Sequence, residues 1–588
     1  MKNFFSGIRN FENKLNENRE KFTELEKEFA HLVFDEVDDA ESAGWIHDFF
    51  CDECFSPLKK DGERIICTHC GKDFTNVDRK RKAAKMDLRY RISEALVFGS
   101  FMVNLGKEEW KEGIERVLNF YSDLSENSSK GGRIPGERPV LSSQLLNDAM
   151  LLMNFAVALM FAGFSKNVLN LWKERIFDRI VEGLKSRRLG AHNHDVWILS
   201  AMGLKSLIFE EKDVENHLKK LEEISERSFL KNGFWYEGSI HYHFYALEGF
   251  VKFYLPYIVK TGKRSKILDE NLKRALKAQL FTIFPDGRFP NPGDGWPRIG
   301  LNSYTDILEY GAQIFDDDLI KRELCYARSG DLSGEDLPIY GRRVSKGVYP
   351  EFFYFDNECP SMDIDLPEEY FGPGESVIVR KKGWTVFLKS GQASSSHIHE
   401  DLCSFEVYLG KTPIFVDLSN TGYGIPETKK WFSKGLAHNT IFINGRSEKF
   451  IGPMRTHKFK REIGCSMNKN PFGYEFLRTI DIENDSLVIE SSFKKEGDRL
   501  GMSFVIPYEV DLSGSIDGPD VEASEYVRWS QKSSGEFSLN FEKFKLKLRS
   551  DGVTYLGESF WIPKGRRVLV IYTESENSLH IKVEVIRR

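Results

Sequence analysis

The sequence predicts an α+β multidomain protein in which a helical domain is followed by an antiparallel β-sandwich. The chain has 588 residues, too many for one ordinary core, so two or three domains are expected. Apolar residues recur at helical spacing through the first half, whereas short β-branched and aromatic runs separated by turns fill the part after about Pro373. Two closely spaced pairs of cysteines precede both regions.

The N-terminal segment, residues 1–80, is predicted to form a polar helix at 16–28 and then a zinc ribbon. Each Cys-x2-Cys pair offers two thiolates at tetrahedral spacing, twelve residues separate the pairs, and Gly71 allows a tight turn. A pair of disulfides is the alternative, which a cytosolic setting disfavours. Because all four ligand positions are filled, we treat the ribbon as a structural accessory. Its cysteines are Cys51, Cys54, Cys67 and Cys70.

Residues 81–372 are predicted to be helical. Many consecutive helices without intervening strands indicate a bundle, a solenoid or a toroid. Turn residues such as Asn232-Gly233 and Asp286-Gly287 mark the connections. The clearest helical runs are 145–164, 168–184, 196–209 and 247–259.

Residues 373–588 are predicted to form the antiparallel β-sandwich. Lys382-Gly383 and Asn444-Gly445 are turn signals between short apolar runs. A cleft between the two large domains is a preferred place for a ligand site. The expected strands are 377–380, 384–388, 404–408, 440–443 and 568–572.

Composition narrows the class of partner. The net charge of −6 gives no basic field, so nucleic acid is not expected to be the main partner. No run of about 18 apolar residues predicts a membrane span, and the first residues lack the apolar core of a secretory signal. We therefore expect a cytoplasmic enzyme. Aromatic residues make up 13% of the chain and can stack on sugar rings as well as fill cores.

Two polar clusters lie in the helical region. Asn193 and His194 stand at the start of an apolar helix, where an amide donor next to an imidazole could serve catalysis or simply an exposed helix cap. Tyr and His alternate around Tyr242, and on a helix His241 and Tyr245 share one face. Such a stripe packs in a core as readily as it lines a site.

A third cluster is expected in the sandwich. His397 and His399 would share one face of a strand, and Asp417 follows an apolar strand, where a buried carboxylate needs a partner. If neighbouring strands bring His438 close, then His399, Asp417 and His438 supply two nitrogens and one oxygen, a common zinc ligand set. A solvated polar face is the alternative interpretation.

Several motifs together resemble the heparinase II/III-type polysaccharide lyases. They occur in the family's order across roughly residues 85–450 and so cover both large domains. Each motif alone is weak, but the set is specific. The motifs are Asn193-His-x-x-Trp197, Glu237-Gly-Ser-x-x-Tyr-His243, Pro285-Asp-Gly287 with Gly293-Asp294, His397-x-His399-x-Asp401 with Ser404-Phe405, and Ala437-His-Asn-Thr440.

The resemblance implies an (α/α) toroid followed by an antiparallel β-sandwich, and cleavage of glycans that contain uronic acid, such as heparan sulfate, heparin or alginate, by β-elimination. Asn193, assisted by His397, would donate to the uronate carboxylate, and Tyr242 would protonate the leaving oxygen. The base would be Tyr242 or Tyr423 for a C5 proton syn to the leaving group, and His194 for an anti proton.

The resemblance also implies a structural zinc ion held by His399, Asp417 and His438, in addition to the ribbon zinc. Arginines in the Gly-rich loop, Arg133 and Arg138, could bind carboxylates or sulfates. The partner is a uronate-containing oligosaccharide or polysaccharide, neither a membrane nor nucleic acid is expected, and a homodimer is compatible with the sequence. The candidate substrate contacts are Gln144, Asn147, Arg138, Trp235 and Glu237.

Two other functions are open at this stage. A glycoside hydrolase or carbohydrate-binding protein on the same scaffold could recruit Asp195, Glu237 or Asp294 as carboxylates. A zinc-ribbon interaction protein would carry its function in residues 1–80. For the lyase, the apparent lack of an export signal favours exo action on short, imported oligosaccharides.

Overall fold

The structure is a computed structural model that describes residues 42–588 with gaps, and residues 23, 26–27, 29–36 and 38 before them. Of the predicted polar helix at 16–28, therefore, only 23 and 26–27 can be compared, and these are helical. The gaps are 105, 128–131, 297–298, 330–363, 373–374, 393–395, 448–454, 459–461, 468–469, 471, 511 and 563.

The N-terminal segment contains a two-stranded hairpin between the two cysteine pairs. Strands β1 (Leu58–Asp61) and β2 (Arg64–Cys67) are antiparallel, and Gly62 turns the chain with a φ of +59°. Gly71, at the end of the second cysteine pair, has a φ of +71°, which an L-residue rarely adopts. The predicted tight turn at this glycine is confirmed.

The helical region consists of two layers. Helices α1, α3, α6, α8 and α10 pack one against the next, while α2 packs on α1, α7 packs on α6, and α9 packs on α7 and α8. The (α/α) toroid itself stays a prediction for these layers. The helices are α1 (Asp78–Asn104), α2 (Glu109–Asn127), α3 (Leu145–Ala162), α4 (Lys166–Trp172), α5 (Asp178–Leu184), α6 (Asn193–Ile208), α7 (Val214–Ser228), α8 (Ile240–Thr261), α9 (Lys266–Ala278), α10 (Thr305–Phe315) and α11 (Asp318–Arg328).

Apolar character on every side explains why the inner helices are buried. In the described part of the chain, Leu145–Ala162 alone is long and apolar enough to pass as a membrane span, yet 89% of it is buried inside the protein. A helix that is hydrophobic all round belongs in a core when other helices surround it. Helices α6 and α8 approach so closely that a Cβ at Gly203 would collide with the Phe253 ring.

Two antiparallel sheets follow the helices. One has the order β3-β4-β5-β6-β7, and the other has β10-β11-β12-β13-β16-β15-β14, with β8 paired to β13 and β9 paired to β8. Their strands are β3 (Glu369–Phe371), β4 (Ser376–Lys381), β5 (Trp384–Lys389), β6 (Phe405–Leu409), β7 (Thr412–Phe415), β8 (Ile441–Ile443), β9 (Arg446–Ser447), β10 (Arg455–Lys458), β11 (Glu462–Met467), β12 (Glu475–Ile482), β13 (Ser486–Ile506), β14 (Arg528–Asn540), β15 (Phe544–Phe560) and β16 (Arg567–Arg587).

The two sheets share one apolar core. Val386 and Val407 from the smaller sheet belong to the same buried cluster as Phe504 and Ile571 from the larger one. This is the packing of a β-sandwich, in which alternate residues of facing strands bury themselves between the sheets. The predicted strand at 568–572 is only a part of the 21-residue strand β16.

A separate apolar cluster joins the three parts of the chain. It contains Phe50 from the N-terminal segment, Trp197 from the helices, and Leu418, Trp431 and Tyr572 from the sandwich region. The junction between helices and sheets is therefore packed, and the cleft described below opens beside it. Cys403 and Cys465, which the sequence shows as scattered cysteines, form a disulfide.

Candidate active site

A cleft of about 180 Å³ lies where the helices, the sandwich loops and the N-terminal segment meet. Most of its lining side chains are aromatic, imidazole or amide groups, and Arg133 and Asp294 carry its full charges. Such a mixture suits a polar ligand that also presents a flat apolar face, as a sugar ring does. The lining residues are Trp45, His47, Arg133, Gln144, Leu146, His194, His241, Tyr242, Tyr245, Asp294, Gly295, Trp296, His397, Asn420 and Tyr423.

Asp294 is the hub of one side of the cleft. Its Oδ2 lies 2.9 Å from His397 Nδ1 and accepts a hydrogen bond of 2.7 Å from the Tyr423 hydroxyl. Its Oδ1 lies 2.9 Å from His399 Nε2 and accepts from the Asn420 amide at 3.0 Å. Burial alone would raise the pKa of Asp294, but hydrogen bonds and charge from His397 and His399 hold that pKa well below its ordinary value.

Loops, rather than strands, carry this side of the cleft. His397 has a φ of +57°, and residues 396–404 contain no strand, so the predicted strand through His397 and His399 is wrong. The loop closes against Gly293, whose φ is +71° and where a Cβ would collide with the His397 carbonyl. The Asp294 N–H donates to that carbonyl at 3.0 Å, which fixes the two loops together. We call residues 293–295, 396–399 and 420–423 the loop wall.

Two phenols meet in the cleft. The hydroxyls of Tyr242 and Tyr423 lie 2.7 Å apart, and the Tyr242 ring stacks on the His397 ring with centroids separated by 3.5 Å. Burial, followed by the charge of Asp294, raises the pKa of Tyr242 well above its ordinary value, and the same two causes raise the pKa of Tyr423. Both phenols therefore hold their protons at neutral pH, as a general acid must.

The opposite side of the cleft is built from the first turns of α6 and α8, which we call the helical wall. His192 caps α6 by accepting from the His194 N–H at 3.3 Å, while Asp195 Oδ2 accepts from the His192 N–H at 3.0 Å. This reciprocal capping fixes where Asn193 and His194 point. The predicted helix start at this motif is confirmed.

Helix α8 begins in the same way. Ser239 is its N-cap, and the hydroxyl accepts from the Tyr242 N–H at 3.3 Å and donates to the Asp294 carbonyl. One side chain therefore ties the helix that carries Tyr242 to the loop that carries Asp294. The expected shared face is present, because the His241 and Tyr245 rings lie 6.2 Å apart.

His194 faces the cleft in the neutral form. Burial, followed by the neighbouring His192 and Arg187 charges, lowers the pKa of His194 well below its ordinary value. A neutral imidazole can accept a proton, which agrees with the predicted role as a base. His192 is not one of the lining residues, although its ring lies 6.0 Å from the His397 ring.

Asn193, Trp235 and Glu237 form a buried triad behind the lining residues. The Asn193 amide donates to Glu237 Oε2 at 2.8 Å, and the Trp235 indole donates to the same oxygen at 2.9 Å. His192 Nε2 lies 3.1 Å from the other oxygen. All three predicted site residues are at most 1% exposed. In this structure they support the helical wall and do not line the cleft.

The predicted substrate contacts in and after the Gly-rich loop separate into two groups. Gln144 and Arg133 line the cleft, whereas Arg138 does not. Asn147 is 3% exposed and accepts from the Tyr90 hydroxyl at 2.9 Å, so it also lies outside the lining. The two arginines are indistinguishable in sequence because both are in a turn-rich loop without a helical or strand pattern.

The predicted metal ligands His399, Asp417 and His438 are all buried near one another. His438 Nδ1 lies 2.7 Å from Asp417 Oδ2, and the two imidazole rings are 5.2 Å apart. Among the residues that the structure describes, His399 Nδ1 and His438 Nε2 are buried and have no hydrogen-bond partner, which fits two nitrogen ligands. Asp417 is already hydrogen-bonded to His438, and Asp294 is hydrogen-bonded to His399. The ligand atoms of His399, Asp417 and His438 therefore do not point at one common position, and the metal site stays a prediction.

The four ribbon cysteines do converge. Cys51 Sγ lies 3.7 Å from Cys70 Sγ, and Cys54 Sγ lies 3.3 Å from Cys67 Sγ, with all four within 4.8 Å of one another. Sulfurs on a zinc ion with bonds of about 2.3 Å would be about 3.8 Å apart. Backbone N–H groups of Cys54 and Cys70 point at the Cys51 and Cys67 sulfurs, which suits thiolate ligands. The residues fit a tetrahedral metal ion.

Sequence reasoning missed several residues of the cleft. Asp294 was considered only as a hydrolase carboxylate, although its place in a family motif was a usable signal. Asn420 had no signal at all. Trp45 and His47 come from the segment just before the ribbon, which was expected to be an accessory. Nothing in their local pattern indicates a site, because only the folded chain brings them to Tyr423.

Comparison with protein families confirms the predicted resemblance over the C-terminal domain. Residues 370–567, about a third of the chain, match the family described as heparinase II/III-like, C-terminal. That region of this chain is therefore similar to the heparinase II/III-like C-terminal domains. The comparison with curated protein sequences found no match.

Solved structures extend the likeness to the whole chain. The chain is similar to the crystal structure of heparinase III, with a TM-score of 0.60 and 14% identity over 99% of this chain and 93% of that one. Heparan sulfate lyase HepC from Pedobacter heparinus gives 0.56 and 12%, over 100% and 93%. A Paenibacillus xanthan lyase gives 0.53 and 9%, over 98% and 57%. At these identities the likeness shows a shared, heparinase-like fold.

Proposed function

We propose that the protein is a polysaccharide lyase that cleaves 4-O-linked, uronate-containing glycans by β-elimination. The observation that carries the proposal is the hydrogen-bonded pair of protonated phenols, Tyr242 and Tyr423, in a cleft that also holds a neutral imidazole. Phenols and imidazoles are the groups that elimination needs, whereas hydrolysis relies on a pair of carboxylates. The heparinase-like fold supports the same conclusion.

The reaction moves one proton and consumes no water. A base removes the proton from C5 of the uronate, the C4–C5 double bond forms, and the bond from C4 to the glycosidic oxygen breaks. That oxygen takes a proton from the Tyr242 hydroxyl. The proton lost by Tyr242 and the proton gained by the base are exchanged with solvent after the products leave. Tyr423, whose hydroxyl lies 2.7 Å from that of Tyr242 and donates to Asp294, orients the acid. Proton transfer by a positioned group contributes typically about 10²–10⁴-fold.

The negative charge of the uronate carboxylate must be offset, because this charge makes the C5 proton very weakly acidic. His397 is the candidate. Its Nδ1 is bonded to Asp294, while its Nε2 is buried without a hydrogen-bond partner among the described residues. When protonated, Nε2 would donate to the carboxylate. A preorganised donor of this kind contributes roughly 3–4 kcal/mol of transition-state stabilisation.

The identity of the base depends on the epimer. For a C5 proton anti to the leaving group, His194 is the base, and the negative uronate raises its proton affinity on binding. For a syn proton, the base is Tyr242 or Tyr423 in its phenolate form, after the phenol has lost its proton to solvent. The lowered pKa of unliganded His194 leaves its ring neutral and able to accept a proton, whereas the raised pKa of both phenols keeps them protonated.

The hydrolase alternative is weaker because the carboxylates are already engaged. Glu237 is buried and held by Asn193 and Trp235, and Asp195 caps helix α6. Asp294 is bonded by four side chains of the loop wall. A hydrolase needs two carboxyl groups on either side of the scissile bond, one of them available as an acid.

We propose further that the substrate is a glycosaminoglycan or alginate oligosaccharide cleaved from one end, with zinc in the four-cysteine cluster and at His399, Asp417 and His438. When bound, zinc would supply structural cross-links only. Rapid loss of viscosity of a long polymer would contradict exo action.

Metal analysis of the purified protein tests both zinc sites, because replacing either set of ligands should remove one equivalent of zinc.

The decisive assay is the ultraviolet absorbance of an unsaturated uronate. Heparan sulfate, hyaluronan, chondroitin and alginate oligosaccharides are offered to the wild type and to Tyr242→Phe. We expect one substrate to give a rise that the variant lowers about 10²–10⁴-fold. Tyr370→Phe, which removes a hydroxyl bonded to the Asn232 carbonyl outside the cleft, is the matched control. New reducing ends without absorbance would instead indicate a hydrolase.

A further inference from the structure

The segment that leads into the four-cysteine ribbon contacts the loop that carries Tyr423 directly. This entry segment, residues 45–50, lies between helix α1 and residues 420–424 of the sandwich region. The Gly424 N–H donates to the His47 carbonyl at 3.2 Å, and the Phe50 ring stacks on Trp296 with centroids 5.6 Å apart. A segment held on both sides in this way is part of the cleft rather than a separate module.

Two glycines show how close this contact is. They flank Tyr423, and neither has a positive φ, so the backbone conformation does not require glycine at these positions. The lack of space does require glycine. A Cβ at Gly422 would collide with the Phe50 ring, and a Cβ at Gly424 would collide with Asp48 and the His47 carbonyl. The entry segment therefore sets the position of the loop that carries Tyr423.

The ribbon is anchored to the helices through charge. Arg79 on α1 donates to Asp52 at 2.6 Å and also to the Gly424 carbonyl at 3.4 Å. Lys80, which is fully buried, bonds Asp52 at 2.7 Å and the Phe50 carbonyl. Asp52 sits inside the first cysteine pair, so a metal ion in the cluster would fix the residues that these cations hold.

The entry segment also presents side chains to the cleft. The Trp45 and His47 rings lie 6.5 and 4.7 Å from the Tyr423 ring. The Arg133 guanidinium stacks on Trp45 at 3.4 Å and makes no ion pair with a described residue. Burial, followed by the Arg133 charge, lowers the pKa of His47 to about 3, so His47 is neutral. An unpaired cation on an aromatic platform suits an acidic sugar.

We propose that the metal-loaded ribbon is a wall of the active site: it positions the Tyr423 loop, and Trp45, His47 and Arg133 form a subsite for an acidic sugar next to the cleavage point. The inference rests on the proposed lyase function. Arg133 binds the carboxylate or sulfate, Trp45 holds the guanidinium and the sugar face, and His47 packs against Tyr423. The ribbon residues are positioning residues, and Trp45 and Arg133 are substrate contacts.

The subsite is tested with the full-length, metal-loaded protein. Trp45→Ala and Arg133→Ala should each raise KM about tenfold and leave kcat within about twofold, since neither side chain is hydrogen-bonded to the Tyr242 or Tyr423 hydroxyl in the described structure. Binding of an intact oligosaccharide by Tyr242→Phe, measured calorimetrically, should weaken by the same factor when either change is added. The matched controls are Arg138→Ala, outside the cleft, and Phe472→Ala, an exposed aromatic residue elsewhere.

The positioning role is tested by Gly424→Ala and Cys70→Ser. Gly424→Ala should keep the metal, as measured by elemental analysis, yet lower kcat with little change in KM. Gly565→Ala, where the added Cβ would lie 3.9 Å from the His69 side chain of the ribbon and would collide with nothing, is its control. Cys70→Ser should lose the metal and show the same fall in kcat together with a higher KM.

The outcomes separate the two proposals. If the wild type cleaves a uronate glycan while Trp45→Ala, Arg133→Ala and Gly424→Ala keep wild-type KM and kcat, the ribbon is only an accessory and this inference is wrong. If the wild type cleaves no acidic glycan and binds none, the proposed function fails first. Should the glycine or cysteine variants not fold, the two cleft variants decide the question alone.

Discussion

The two walls of the cleft are held in place by different means. The helical wall is fixed locally: Asn193, His194 and Tyr242 lie in first helical turns whose caps are within three residues along the chain. The loop wall is fixed at a distance, because Asp294 gathers His397 from 103 residues and Tyr423 from 129 residues away. A wall whose helix starts are capped locally can be predicted from sequence, and we expect it to tolerate the loss of one capping side chain. A wall held by one carboxylate should be disrupted when that carboxylate is removed.

Among changes to the groups that support the two walls, the largest effect on activity is expected from replacing Asp294. Asp294→Asn removes the charge that four donors share, so His397 and Tyr423 lose their common acceptor. We expect kcat/KM to fall about 10²-fold, since small misplacements of catalytic groups cost that much. Asp317→Asn, which removes an acceptor of two lysines in the helical region, is the control and should leave kcat/KM unchanged. Wild-type activity in Asp294→Asn would mean that the hub is dispensable.

A second test acts on the packing of the loop wall without changing its charges. Gly293→Ala places a Cβ against the His397 carbonyl at a φ of +71°. The strain is expected to lower the free energy of unfolding by about 1–3 kcal/mol and to lower kcat as well. Gly163 has a similar φ of +67°, but a Cβ there would meet open space. The difference between Gly293→Ala and Gly163→Ala therefore measures the effect of the collision without that of the backbone strain. Equal losses in denaturant titration would show that backbone strain alone matters.

A substitution in the helical wall should lower activity less than a substitution in the loop wall. Ser239→Ala removes the cap of α8 and its bond to the Asp294 carbonyl, and we expect a loss of about 1 kcal/mol in the free energy of unfolding. Activity should fall only modestly because the other turns of α8 still hold Tyr242. Ser265→Ala, the cap of α9 away from the cleft, is the matched control for stability. A fall in kcat as large as that of Asp294→Asn would erase the distinction between the two walls.

The smallest expected effect is that of pH. His194 works as a neutral base, and its lowered pKa means that it is protonated only at a pH well below about 6.5. The phenols keep their protons up to at least about pH 10. The acid limb of the kcat/KM profile that reports His194 should therefore be displaced to lower pH. An acid limb centred near or above the ordinary histidine pKa would argue against His194 as the base.

The same contrast explains what the sequence could and could not predict. The start of α6 at Asn193 was predicted because a cap followed by an apolar helix is a local signal. The strand through His397 was wrong because histidines at i and i+2 satisfy a strand pattern as well as they satisfy a loop wrapped around Asp294. Arg133 was predicted to bind anions together with Arg138, but no local pattern separates the two arginines. Trp45 carries no local signal, and the folded chain alone brings it to Tyr423.

The central claim is that bond cleavage occurs by elimination, and the most direct measurement is digestion in water labelled with heavy oxygen. Mass spectrometry of the fragments from a uronate oligosaccharide that the protein cleaves would be compared with the intact substrate. The account predicts fragments whose masses sum to that of the substrate, with no heavy oxygen in the cleaved linkage and a double bond in the new terminal uronate. Incorporation of one labelled oxygen per cleavage would show hydrolysis and contradict the assigned roles of Tyr242 and His194.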